Sequence, residues 1–161
     1  MNSRSYVPSR QKPGQGRTPL EIALQNVRNI AEIDAEGLRS WIQQLVGSIA
    51  PLAESFGVRF VSDEEMAEYN RKYRGRCGAT DVLSFPEYGA PPDYRHLGDV
   101  VIAVPWARRQ ATDLGIPLER EVRTLLLHGI LHCLGFDHEA DNGEMEEVEL
   151  QMKARWIDDV D

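Results

Sequence analysis

Two cysteines in 161 residues, Cys77 and Cys133, form neither a CxxC pair nor a disulfide framework, and both are expected to be reduced thiols in a cytoplasmic protein. No apolar run approaches bilayer-spanning length, so no membrane partner is expected. The N-terminus carries Arg4, Arg10, Lys12 and Arg17 without the apolar stretch of a secretory signal, and export is not expected. Positive charge is scarce overall. The formal net charge of −8 argues against a generally basic, nonspecific nucleic-acid binder but leaves room for a local basic site. No internal repeat is visible, so one domain with a full core is the default.

Histidine is scarce too, yet three of the four fall in one stretch: His128-Gly129-Ile130-Leu131-His132-Cys133-Leu134-Gly135-Phe136-Asp137-His138. On an α-helix, residues four apart lie only ~40° apart around the axis, so His128 and His132 share a face. Gly135 fits the left-handed position just past a helix end, and the reversed chain can return His138 to the same point. Three imidazoles with no fourth protein ligand in the run suit a catalytic metal site with an open position rather than a closed structural one. Zinc and nickel both accept such a set. Cys133 lies about 100° from His132 on the helix and is read as packing, not as a ligand.

Residues 1–18 are rich in Ser, Gly, Pro, Gln and Arg without an apolar pattern and are expected to be a disordered basic arm, leaving 19–161 as the single domain. Leu20, Ile22 and Leu24 alternate as a first strand ending near Asn26. Asp34 is the expected N-cap of a helix carrying Leu38, Trp41, Ile42, Leu45, Val46 and Ile49. Pro51 should kink or end it, although Leu52 and Phe56 prolong the apolar side to Gly57. Residues 58–61 read as a second strand, and Ser62 with Glu65 as a capping box opening a helix through about Tyr73. Arg71, Lys72, Arg74 and Arg76 crowd together there; a helix C-terminus favours cations, and a polyanion could dock on them.

Residues 80–86 form a third strand signal stopped by Pro86, and 87–97 a turn-rich loop in which His96 is expected to stand exposed and alone. Residues 98–104 are apolar enough for a central strand. Pro105 opens a helix ending by Gly115, and Pro117 opens the metal helix, whose positive N-terminus suits Glu119 and Glu121. Met145, Val148, Met152 and Trp156 mark a last amphipathic helix whose acidic outer face is read as solvation.

A metal held by three histidines can activate a water at neutral pH or polarise a substrate oxygen, so hydrolysis is the natural class. The spacing is that of zinc proteases of the H-E-x-x-H-x-x-G-x-x-H type. Position 129, however, is Gly where such a protease carries its general base, and a base is typically worth about 10²–10⁴ in rate. Asp137 suits a hydrogen bond that orients an imidazole. A phosphodiester fits better: it needs a cation for phosphoryl charge, which Arg74 can supply, and space, to which Gly129 is expected to contribute.

The histidine stretch resembles the H-G-x-L-H-x-x-G-x-D-H signature of the YbeY family of bacterial endoribonucleases throughout. Tyr73-Arg74-Gly75, residues 80–86 and Leu97-Gly98-Asp99-Val100-Val101-Ile102 resemble two further family blocks, and the likeness runs in order from about Leu20 to Trp156. Arg76-Cys77-Gly78-Ala79 departs from the Lys-Asp-Lys-Pro-like tetrad usual there. The resemblance implies an α+β fold with a small mixed four-stranded sheet, about five helices and a zincin-like metal helix. It implies one zinc ion on His128, His132 and His138, with Arg74 as the cation of the RNA cleft. The implied activity is zinc-dependent endoribonuclease cutting of single-stranded RNA, in ribosomal RNA processing at the 3′ end of the small-subunit RNA and in ribosome quality control, with the ribosome or small-subunit factors as partners. Two other readings stay open: a zinc metalloprotease, and a zinc-stabilised interaction module on the ribosome.

Overall fold

The computed structural model describes residues 19–87 and 96–160; the expected basic arm and most of the 87–97 loop lie outside them. Four strands form one mixed sheet in the order β1-β2-β4-β3: β1 (Glu21–Gln25), β2 (Ser55–Val61), β3 (Val82–Pro86) and β4 (His96–Ala103). β1 runs parallel to β2 and β2 to β4, whereas β3 closes the sheet antiparallel to β4. Among the described residues five α-helices accompany it: α1 (Ala35–Ile49), α2 (Asp63–Arg74), α3 (Val104–Leu114), α4 (Leu118–Cys133) and α5 (Glu144–Trp156). The α+β expectation therefore holds, with β4 central as its apolar run predicts.

Strand alternation divides the core in two. Ile22, Phe56, Val58, Phe60, Val100 and Ile102 point to the side covered by α1, α4 and α5, where Leu38, Ile42, Leu126, Ile130 and Met145 complete the main cluster. Val61, Leu83, Val101 and Ala103 point the other way, into a smaller cluster with Met66 of α2. The second layer is partial, and the surface of β1 and part of β2 on that side stays open.

Helix ends follow local chemistry with two departures. Ser62 caps α2 by accepting from the Glu65 N–H at 3.1 Å, and Gly75 and Gly115 end α2 and α3 in left-handed conformations at φ 63° and 67°. Asp34 occupies the N-cap position of α1, but its side chain makes no capping bond. Its carboxylate leans instead over Gly37, where an added Cβ would lie 2.5 Å from Oδ2. α1 ends before Pro51, and Phe56 and Gly57 belong to β2, because Phe56 is needed in the sheet core. No described helix is long and apolar enough to cross a membrane.

Candidate metal centre

α4 carries His128 and His132 along its length, and the turn after it delivers His138. The helix ends in a Schellman motif: Gly135 takes φ 95°, its N–H donates to the His132 carbonyl at 2.9 Å, and the Phe136 N–H reaches back to the Leu131 carbonyl at 3.1 Å. The motif also turns the Phe136 carbonyl toward His132, whose Nδ1 lies 2.9 Å from it. The three rings then meet, with centroids 4.7 Å apart for His128 and His132, 5.2 Å for His128 and His138, and 6.0 Å for His132 and His138.

Proton positions follow from the partners. A carbonyl only accepts, so His132 Nδ1 carries the hydrogen and its Nε2 is bare in the neutral ring. Burial, and then the neighbouring His128, push the His132 pKa below its ordinary value against the pull of the Phe136 carbonyl, so the neutral form is favoured. Glu149 of α5 stands 3.0 Å from His128 Nδ1. The hydrogen bond to His128 holds the Glu149 carboxyl below its usual range despite its burial. That carboxylate accepts from the Nδ1–H of His128, so in the neutral ring the second Nε2 is bare as well. The two Nε2 atoms face each other at 3.1 Å. A cation held between them would satisfy both lone pairs, and the spacing is close to the tetrahedral edge of roughly 3.3 Å implied by zinc–nitrogen bonds. The donor set therefore fits a zinc-like ion, with His138 as the third imidazole.

A second grouping is possible, since ligand atoms of His128, His138 and Glu149 lie within 4.8 Å of one another, with His138 Nε2 3.6 Å from Glu149 Oε2. It leaves the facing Nε2 pair unexplained and spends Glu149, which already accepts from Nδ1. His132 stands beside this set with its Nε2 3.1 Å from that of His128, and the Glu149 carboxylate orients the His128 ring through Nδ1. Asp137 does not orient an imidazole as expected: its Oδ1 accepts from the Glu139 N–H at 3.0 Å and steadies the turn. Cys133 packs as expected, and burial pushes its thiol up to about 12.

Two further expectations need correction. Gly129 does not make room for substrate. A Cβ there would lie 2.8 and 2.9 Å from the Val100 Cγ atoms and 3.1 Å from Ser84 Oγ, so its open side is filled by the sheet. The same contact bars the glutamate that a zinc protease would place at 129, which removes the local basis of the protease reading. His96 is not a lone loop residue either. It begins β4, and its ring ties Ser55 Oγ at 2.7 Å to Asp99 Oδ2 at 3.0 Å.

Arg74 is the exposed last residue of α2, and no hydrogen bond or ion pair among the described residues joins it to the histidines. Edge strand β3 lies between them. Its Phe85 meets Tyr73, the neighbour of Arg74, at 5.0 Å, while its Ser84 faces Gly129, the neighbour of His128. Sequence reasoning misses Glu149, because the acids of α5 read as solvation. Its signal is position: four residues after buried Met145, it lies on the helix face that meets the core.

A model of the family described as Endoribonuclease YbeY matches residues 23–156. The chain is similar to three curated proteins named Endoribonuclease YbeY. Identity is 47% over 91 residues with that of Persephonella marina, covering 55% of this chain and 60% of that protein. It is 43% over 111 residues with that of Helicobacter pylori strain Shi470, covering 69% and 77%. With that of a Sulfurihydrogenibium species it is 38% over 128 residues, covering 79% and 84%. The solution structure of TM1509 from Thermotoga maritima superposes with a TM-score of 0.58 at 25% identity, over 88% of this chain and 93% of that one.

Proposed function

The chain belongs to the YbeY family, and on that premise we propose that it is a zinc-dependent endoribonuclease that cuts single-stranded RNA. The observation that carries the reading is the pair of Nε2 atoms of His128 and His132 facing each other at 3.1 Å, with the His138 ring beside them. His128, His132 and His138 hold the ion. When bound, zinc supplies a Lewis acid for a phosphoryl oxygen and lowers the pKa of a water to about 7.

The chain's own groups do the positioning. Glu149 and the Phe136 carbonyl keep hydrogens on the two Nδ1 atoms, so both Nε2 atoms point at the ion. Arg74, across β3, pairs with a phosphate of the bound strand and offsets charge as the phosphodiester is cut. The setting follows from the family: residues 19–161 act as one domain in the cytoplasm on ribosomal RNA, maturing the 3′ end of the small-subunit RNA and serving ribosome quality control beside small-subunit factors.

Elemental analysis paired with cleavage of single-stranded RNA by wild type, His132→Ala and Arg74→Glu tests the assignment. His132→Ala is expected to lose both metal and cutting, whereas Arg74→Glu keeps the metal and loses cutting. Zinc-loaded wild type that leaves ribosomal RNA intact, or cutting that His128→Ala does not impair, would overturn it.

A further inference from the structure

On the sheet face away from α4, a groove of about 280 Å³ opens between α2 and the β1 edge. At its floor the Asp99 carboxylate lies over Gly57 of β2, where any Cβ would come within 2.0 Å of Asp99 Oδ1. One wall is aromatic. Tyr69 and Tyr73, a turn apart on α2, stack at 5.9 Å with 21° between ring planes, and Phe85 of β3 meets Tyr73 edge-on at 5.0 Å. The cluster fixes the rings without covering them, since Tyr73 remains 54% exposed. Burying so much tyrosine would be favourable, yet α2 carries it at the open side of the smaller core.

Cations surround this wall. Arg59 stands on β2 with its guanidinium 5.9 Å from the Tyr69 ring centre and bonded to the Tyr69 hydroxyl at 2.8 Å. Glu65 approaches Arg59 no nearer than 4.0 Å. The Lys72 ammonium lies 5.2 Å from the Tyr73 ring centre. Arg71, Arg74 and Arg76 follow at the helix end with no acidic partner among the described residues. Asp99 is the acid lining the groove, and His96 engages it. In a chain of net charge −8, this local reversal of sign beside exposed rings selects a polyanion with flat faces to stack. Double helices hide those faces, whereas single strands offer them.

We infer that the groove is a stacking platform for single-stranded RNA, in which Tyr73, backed by Tyr69 and Phe85, receives a base while Arg59 and Lys72 take adjoining phosphates. It deepens the proposed function and rests on that reading for the identity of the strand. The platform would hold RNA on one side of β3 while the histidine centre stands on the other, so a bound strand rounds the end of that strand, past Arg74, to be cut.

The test uses the zinc-loaded full chain and a nuclease-resistant 2′-O-methyl phosphorothioate oligouridine of about ten nucleotides, within the site sizes of such platforms. Fluorescence anisotropy measures affinity, and a 5-iodouridine version maps the photo-crosslink. Tyr73→Ala should weaken binding by about 5- to 150-fold, the range of one lost base stack. Tyr73→Phe should bind as wild type does, because the ring and not the hydroxyl stacks. Arg59→Gln should lower the slope of log affinity against log salt by about 0.7, the loss of one phosphate contact. The crosslink should fall on Tyr73 or Tyr69, and duplex RNA should bind no better to wild type than to Tyr73→Ala.

Unchanged affinity in a folded Tyr73→Ala, or a crosslink confined to other surfaces, would overturn the platform even if the wild type cuts RNA. Tyr73-dependent binding without zinc-dependent cutting would keep the platform and remove the proposed activity.

Discussion

Gly129 and Gly47 both lie inside helices, and replacing each with alanine is expected to shift stability in opposite directions. An added Cβ at Gly47, on the exposed side of α1, meets nothing within 4 Å. Alanine there gains helix propensity and narrows the unfolded ensemble, so Gly47→Ala should stabilise by about 0.5–1 kcal/mol. At Gly129 the same gain meets two Val100 methyl carbons closer than 3.0 Å. Val100 is fully buried on the central strand, and its branched side chain has little rotamer freedom with which to yield. Overpacking of this kind costs about 1–3 kcal/mol. Subtracting the propensity gain leaves Gly129→Ala destabilised by roughly 1 kcal/mol, within a span of about 0–2.5 kcal/mol. For a chain of this size each kcal/mol moves Tm by about 2–4 °C. Calorimetric melts of the two variants, with urea midpoints as a check, should place Gly47→Ala above wild type and Gly129→Ala below it. A Gly129→Ala protein as stable as Gly47→Ala would refute the close approach of α4 to β4, and with it the argument that no glutamate can stand at 129.

Glu149→Ala should retain the fold and bind zinc about 10- to 100-fold more weakly, the usual cost of losing a group that orients a ligating imidazole. Competition with a chromophoric chelator measures this, and undiminished affinity would show that His128 is aimed by something else. Glu121, buried in α4, has its carboxyl pushed above the ordinary value by burial first and by the Asp81 carboxylate second, against the pull of Lys153. An acid with a raised folded pKa binds its proton more tightly folded than unfolded. Its contribution is therefore whole below the ordinary glutamate value and is lost as pH rises through the folded one. Glu121→Gln should then melt higher than wild type near about pH 7.5, with the gap closing toward about pH 4; a gap that widens in acid would contradict the assignment.

What was legible in the sequence is what one element sets alone. Four-residue spacing and a glycine at the helix end bring the histidines together because helix period and cap geometry are local properties. The strands were legible because alternation reports two differently covered faces. The errors fall where two elements meet. Glu149 reads as one acid among several until α5 docks and sets it 3.0 Å from His128. His96 reads as a loop residue until parallel pairing places it beside Ser55. Tyr69 and Tyr73 carry helical spacing but no sign that α2 leaves its sheet face half open.

Gly129 is the most instructive of these, because its absent side chain can be assigned to the reaction or to the packing, and only the neighbour decides. Val100 assigns it to the packing. The site is still affected, since His128 is the preceding residue and the distance at which α4 rides over β4 fixes where that imidazole stands relative to Ser84 and the β3 edge. A glycine that brings the helix close to the sheet thus bears on metal and substrate alike through distance, without touching either.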